Sequence, residues 1–213
     1  MQTNKANLTQ ALAIIASAIL LGSASSYGQI LDPANGHYYQ VVTAPNITWP
    51  DAEVAALTLH YNGLEGHLAT VTSDSEDTYV GAAVAAAGAG EFWLGGYQNP
   101  VTETIPTAGW TWVNSEGTFP GVNGASGFDN AYSNWNPGEP NDAYGPGSEQ
   151  YLGINLGHVG GFNDEGNLSL IGGYVVEYDP NTVPGGGLAP DGGATLGLLA
   201  MGLAGLALVR KLQ

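Results

Sequence analysis

Hydrophobic and polar positions change rhythm along this chain, and the changes divide it into elements. Ala11 to Leu21 is an apolar run preceded by Lys5 and followed by small residues at Ser23, Ala24, Ser26 and Gly28, the order of an export signal over residues 1–28. The turn residues Asp32-Pro33-Ala34-Asn35-Gly36 lead into His37 to Val42, whose aromatic and β-branched bulk predicts a strand. Thr48 as cap, Pro50 in the first turn and Asp51 at capping-box spacing predict a helix that ends before Asn62-Gly63. Leu68 to Val71 reads as a short strand. Ser73 and Glu76 repeat the capping spacing, and Tyr79, Val80, Ala83, Val84 and Ala87 recur at helical intervals until Gly88 stops the helix.

Beyond residue 88 the pattern is strand and loop. Phe92 to Tyr97, Trp110 to Val113, Tyr151 to Ile154 and Tyr174 to Tyr178 carry strand composition, separated by stretches rich in Gly, Asn, Pro and Ser. Two helices followed by strands make the class α+β rather than alternating βα. Asn114 to Glu149 has little periodicity, which inside a domain marks a functional loop or disorder. Phe119, Phe128, Tyr132 and Trp135 within it argue for a packed loop, because disordered segments are poor in aromatic residues.

Charge narrows the ligands. The formal net charge is -16, and the three basic residues, Lys5, Arg210 and Lys211, all lie outside residues 29–190. All the acids except Asp191 fall inside that segment, so no salt bridge to Lys or Arg can form there. Its carboxylates must be solvated, hydrogen-bonded or neutralised by bound cations. Such a surface repels nucleic acid, anionic lipid and acidic polysaccharide, leaving neutral ligands and metal ions. Cysteine is absent, which removes disulfides and thiolate chemistry from a chain expected outside the cytoplasm. At the other end, Ala194 to Val209 is uncharged and apolar and is followed at once by Arg210 and Lys211. It reads as a membrane helix over 194–209, shorter than the roughly 20 residues of a full span. Its basic tail, 210–213, would stay in the cytoplasm.

The candidate chemistry sits in the long loop and just after it. Trp135-Asn136-Pro137-Gly138-Glu139-Pro140-Asn141-Asp142 is followed by Glu149 and then by Asn163-Asp164, and the polar side chains among them offer oxygen donors. Calcium takes six to eight such oxygens and accepts mixed carboxylate and amide ligands. Zinc is disfavoured, because there is no cysteine and His37, His60, His67 and His158 have no ligand spacing. No nucleophile with its base, zinc-hydrolase motif or phosphate loop is present, so the reading is a binding protein and not an enzyme.

Over residues 36 to 179 the sequence resembles the C-type lectin domain family. The resemblance rests on Gly36-His37-Tyr38-Tyr39, Thr48-Trp49-Pro50-Asp51-Ala52, Gly66-His67-Leu68-Ala69-Thr70-Val71 before Ser73 and Glu76, Phe92-Trp93-Leu94-Gly95-Gly96, Trp110-Thr111-Trp112 and Tyr174-Val175-Val176-Glu177-Tyr178, all in order. It implies a C-type-lectin-like fold over 29–180: two helices, two small antiparallel sheets and a long calcium-binding loop. It further implies that Glu139, Asn141, Glu149, Asn163 and Asp164 hold the calcium that carries sugar, with a cis Glu139–Pro140 bond. Family members with Glu-Pro-Asn tend to take mannose-, glucose- or fucose-like diols, so that preference is expected here, with Tyr144 as a wall against the sugar ring. Phe162 stands where the family has Trp, and Tyr151 and Val176 fill two disulfide positions. A second family calcium site matches only in Asp142 and Glu103, with Gln98 and Gln150 where acids would sit.

Three other readings stay open at this point: an acidic loop without metal, an adhesive matrix protein that binds protein or ice without sugar, and a surface-layer component that buffers cations. The tail resembles the PEP-CTERM class of bacterial sorting signals. Val183-Pro184 and Pro190-Asp191-Gly192-Gly193, within a linker over 181–193, precede the apolar run. This resemblance implies an exosortase-type processing enzyme as partner, and a cell-envelope or extracellular location suited to binding glycan or exopolysaccharide.

Overall fold

Both helices begin at the caps the sequence supplies. The computed structural model describes residues 25–88, 90–99, 102–167, 171–180, 182–183 and 187–188. The elements are β1 (Ser25–Ser26), β2 (Ile30–Leu31), β3 (Tyr38–Thr43), α1 (Trp49–Ala56), β4 (His60–Tyr61), β5 (Leu64–Glu65), β6 (His67–Leu68), α2 (Asp74–Ala87), β7 (Phe92–Gln98), β8 (Trp110–Trp112), β9 (Tyr151–Ile154), β10 (Phe162–Glu165), β11 (Gly173–Tyr178), β12 (Thr182–Val183) and β13 (Gly187–Leu188). Thr48 accepts from the Asp51 amide ahead of α1, and Ser73 from the Glu76 amide ahead of α2.

Helix α1 stops at Ala56, well short of the expected end before Asn62-Gly63. The intervening residues form the hairpin β4–β5, with Asn62 at φ 51° and Gly63 at φ 81°. Two successive left-handed residues suit a tight hairpin turn, so the dipeptide that reads as a helix stop is a strand connection. Strand β10 is a second element the hydrophobic pattern does not announce, because Phe162 is the only large apolar residue in Phe162-Asn163-Asp164-Glu165.

The main sheet runs β1-β3-β11-β7-β9-β10, with β2 on β3, β6 on β11 and β8 on β7. Strands expected as two small antiparallel sheets therefore join into one mixed sheet through a parallel pair, Gly173 opposite Phe92 and Tyr174 opposite Trp93. The joining strand β11 is buried at every position, as a strand covered on both faces and paired on both edges must be. Residues 25–26, inside the stretch expected as export signal, pair in this sheet, Ser25 with Thr43 and Ser26 with Val42, and the Tyr27 amide after them donates to Val41 O at 3.0 Å.

Two apolar clusters flank the sheet. One packs Val80 and Val84 of α2 against Leu94, Leu152 and Ile154, and the other packs Ala52 and Ala56 of α1 against Leu68, Trp93 and Val176. Trp93, Trp110 and Trp112 are fully buried, as their spacing in core strands implies. The long loop joins the first cluster: Phe119 stacks on Trp112 at 4.2 Å, and Trp135 lies 4.9 Å from Trp110. Phe128 stays partly exposed. Tyr151, at one of the lost disulfide positions, instead stacks on Trp49 at 4.9 Å.

His37 supplies a positive charge in a segment that has no Lys or Arg. Its Nδ1 meets Glu177 Oε1 at 2.5 Å and its Nε2 meets Asp179 Oδ1 at 3.1 Å.

Helix α2 also fixes the turn between β9 and β10. Asn155 Nδ2 donates to Gly81 O at 2.9 Å and Asn155 Oδ1 accepts from the Gly160 amide at 2.7 Å. A Cβ on Gly81 would lie 2.7 Å from Gly160 N and 2.9 Å from Gly160 Cα. Gly81→Ala is therefore expected to destabilise the protein by about 1–3 kcal/mol, although alanine is the better helix former by about 1 kcal/mol. Urea unfolding of the variant checks this, and a stabilised variant would show that the contact yields freely.

Among the described residues no helix is long and apolar enough to cross a membrane. Residues 194–209 and 210–213, together with most of the 181–193 linker, lie outside the described residues.

Candidate functional site

The end of the long loop is tied to β10 through one carboxylate. Asp164 is buried, and its Oδ1 and Oδ2 both accept from the Asn141 amide at 2.9 Å while Oδ2 also accepts from the Asp142 amide at 2.8 Å. The bond between Glu139 and Pro140 is cis. Asp142 then folds the following segment, its Oδ2 accepting from Gly147 N at 2.8 Å and its Oδ1 from Glu149 N at 3.0 Å. Glu149 Oε2 closes the circuit by accepting from Ala143 N at 2.6 Å.

The result brings Glu139, Asn141, Glu149 and Asp164 together. Glu139 hydrogen-bonds Asp164 and feels the charges of Glu149 and Glu165. Burial, followed by these neighbours, pushes the Glu139 carboxyl up to about 7. Burial and the charges of Asp164, Glu165 and Asp142 likewise raise Glu149 to about 7, against the Ala143 amide, which lowers it. Asp164 is raised as well, chiefly by burial. Glu139 Oε2 is buried and has no hydrogen-bond partner. An orphaned carboxylate oxygen among other carboxylates, with no Lys or Arg between residues 29 and 190, fits a hard divalent cation.

The fifth expected residue, Asn163, occupies the flank of this cluster. It lies on β10 beside Asp164, opposite Gly153 of β9. Its Nδ2 donates to Glu165 Oε1 at 2.8 Å, and its side chain also hydrogen-bonds Glu91. Glu91 and Glu165 are additions that sequence reasoning did not find. Glu91 is 6% exposed, and burial together with the Glu165 charge raises its carboxyl to about 9. Room for it exists because Gly153 has no side chain; a Cβ there would come within 2.1 Å of Glu91 Oε1. The sequence signal was Gly153 in an otherwise bulky strand, since glycine in a strand marks close approach by another group.

The residues of the partial second set staple the loop. The buried Gln98 Nε2 donates to the carbonyls of Ile105, Pro106 and Ala108 at 3.0, 3.2 and 3.0 Å, and Gln150 Nε2 donates to Glu103 O at 3.0 Å. Amides here make hydrogen bonds where acids would have required an ion. A group of imidazole and carboxylate donor atoms within 4.8 Å of one another lies elsewhere, at His37, Glu76 and Glu177. Tyr144 is 86% exposed beside the cluster, and Asn141 is also exposed.

No family model matches the chain. Halomucin of Haloquadratum walsbyi (strain DSM 16790 / HBSQ001) is 31% identical over 163 residues, which are 76% of this chain but 2% of the length of that relative. The solved structure of the EPNH mutant of CEL-I is 21% identical, covers 66% of this chain and 88% of its own, and gives a TM-score of 0.50. The C-type lectin CEL-I from Cucumaria echinata is 20% identical, with 66% and 89% covered and a TM-score of 0.49. With two helices, the mixed sheet and the long packed loop, the fold is C-type-lectin-like.

Proposed function

We propose that this chain is a calcium-dependent carbohydrate-binding domain, exported from the cell and held at its surface or released from it. Glu139, Asn141, Glu149, Asn163 and Asp164 would hold the ion, which when bound supplies open coordination positions for a vicinal diol. The observation that carries the reading is the convergence of Glu139, Glu149 and Asp164 around an unpartnered buried oxygen, in a segment without Lys or Arg. Glu139 and Asn141 provide an acceptor and an amide donor beside the ion, an arrangement suited to mannose-, glucose- or fucose-type hydroxyls. Exposed Tyr144 offers an apolar face next to them. The acidic surface disfavours anionic glycans, so the ligand is a neutral one. The fold neighbours are binding domains, which accords with a non-enzymatic role.

The location and the processing of the tail by an exosortase-type enzyme belong to the same proposal and rest on residues 1–28 and 181–213 of the sequence. The test of function is calorimetry of calcium into the metal-free protein, with and without mannose. One saturable calcium site and sugar binding that EDTA abolishes are expected. The double variant Glu139→Gln, Asn141→Asp should move preference from mannose towards galactose, because it exchanges donor and acceptor. Glycan binding that survives EDTA would favour an adhesive protein instead, and many weak calcium sites would favour a cation-buffering surface component.

A further inference from the structure

Two of the five candidate ion ligands, Asn163 and Asp164, are neighbours on β10, the last strand in the order of the main sheet. Successive side chains of a strand leave it on opposite faces. Asn163 and Asp164 can therefore meet one ion only around the edge of the sheet, and each has to be held in place to do so. The backbone amides of Asn141 and Asp142 hold Asp164. The groups that hold Asn163 lie on the other face.

That face is built around Gly153. Asn163 stands opposite Gly153 across the β9–β10 pair, and Trp93 stands opposite it across the β7–β9 pair. Glu91, two residues before Trp93, and Glu165, two residues after Asn163, fall on the same side by strand alternation. The missing side chain at 153 leaves room for the Glu91 carboxyl, since a Cβ there would come within 2.1 Å of its Oε1 and 2.6 Å of its Cδ. The Glu91 backbone is fixed as well, its carbonyl accepting from Gly172 N at 2.8 Å. Asn163 Nδ2 donates to Glu165 Oε1 at 2.8 Å, and its side chain also hydrogen-bonds Glu91, which in turn hydrogen-bonds Glu165. Three side chains thus brace one another, with Glu91 and Asn163 both buried. Glu139 feels the charge of Glu165 and acts on Glu91, so the trio lies against the ion cluster.

The chemistry of the amide decides what this bracing does. An asparagine side chain carries one acceptor oxygen and one donor nitrogen on the same carbon. With Nδ2 drawn to two carboxyl groups, Oδ1 is turned away from them, and a flipped amide would set oxygen against oxygen. Oδ1 is also the atom a hard cation takes.

We infer that Glu91 and Glu165 are positioning residues for the ion ligand Asn163: they take up its amide nitrogen and so present its oxygen to the calcium cluster. The inference rests on the calcium reading above and adds to it two residues that need not touch the ion. Neighbours that orient a metal ligand in this way typically matter by about 10- to 100-fold in metal affinity.

The test uses the full chain with Glu165→Gln and Glu165→Ala, at a half-buried position. Both variants remove the carboxylate, but only glutamine keeps an oxygen in reach of Asn163 Nδ2, so the gap between them separates positioning from charge. In calorimetry Glu165→Ala should bind calcium at least about tenfold more weakly than Glu165→Gln. NMR of the metal-free proteins gives a readout that needs no ion. The side-chain amide hydrogens of Asn163 should exchange slowly in the unaltered protein and in Glu165→Gln, and faster in Glu165→Ala. Equal calcium affinities in the two variants, or fast exchange of that amide in the unaltered protein, overturns the positioning role while the calcium reading stands. Failure of the unaltered protein to bind calcium overturns the underlying reading, and this inference with it.

Discussion

Asp164→Ala is expected to abolish saturable calcium binding in calorimetry and to cost stability even in EDTA. The second effect follows from what the carboxylate does without an ion. It accepts from the amides of Asn141 and Asp142, and the Asp142 amide is buried. Leaving a buried donor unsatisfied costs about 1–3 kcal/mol, so the two together should lower the unfolding free energy by about 2–4 kcal/mol. Asp164→Asn separates the two roles. One amide oxygen can still accept from those backbone groups, so most stability should remain while calcium affinity falls with the lost charge. Removing that charge also relieves Glu139, whose carboxyl burial, the Asp164 charge and the shared hydrogen bond hold at about 7. NMR titration should place Glu139 closer to its ordinary value near 4.5 in either variant. Retention of one tight calcium site in Asp164→Ala would sink the assignment of this cluster.

The same cluster should make calcium binding depend on pH. Glu139 and Glu149 are raised to about 7 from about 4.5, so between those values the folded metal-free protein holds protons that the unfolded chain has released. Stability from this source is complete below about pH 4.5 and is lost as pH rises through about 7. A bound divalent cation takes over the neutralisation, so calcium binding near pH 7 should release protons and remove this decline.

Much of the fold was legible because its signals are local. Capping pairs at Thr48 and Ser73, and tryptophans in the core strands, depend on neighbours in sequence, and they mark both helix starts and strands β7 and β8. Asn62-Gly63 was ambiguous because the same dipeptide can end a helix or turn a hairpin, and only the pairing of His60 with Glu65 decides between them. The parallel β11–β7 pair is a property of the whole topology and leaves no mark on either strand alone. In the site, the candidate set could be named only as residue types resembling a family, Asp164 among them. Its grip on the Asn141 and Asp142 amides could not, and neither could Glu91, because an acid just ahead of a core strand ordinarily lies in solvent. Glu91 lies inside because Gly153, on another strand, leaves the space, and spacing along the chain carries no record of that meeting.

His37→Ala is expected to cost about 3 kcal/mol and to flatten the alkaline limb of the stability profile. Glu177 is 1% exposed and depends on His37 for its closest contact, with Thr70 N and Oγ1 donating to its other oxygen at 2.9 Å each. Removing one partner of a buried ion pair strands the other, which is why the loss exceeds that of a surface pair. Burial alone would depress the imidazole; Asp179 and Glu177 outweigh it and raise His37 to about 10 from an ordinary 6.5. Between those values the folded protein keeps a proton that the unfolded chain has lost. The contribution of His37 to stability is therefore complete below about pH 6.5 and disappears as pH rises through about 10. Burial pushes Glu177 upward, but its hydrogen bond from His37 and the charges of His67 and His37 hold it below its ordinary 4.5, so its contribution is lost as pH falls through that lowered value. The pair is thus strongest between about pH 4.5 and 6.5. The contacts of His37 are with Glu177 and Asp179 and not with the candidate ion ligands, so calcium bound at Glu139, Glu149 and Asp164 should leave the pair in place. Urea unfolding across this range, in EDTA and in excess calcium, should show calcium removing the decline that ends near pH 7 and leaving the one that runs to about pH 10. In His37→Ala that second decline should vanish in both conditions, and its persistence would mean that another group carries it.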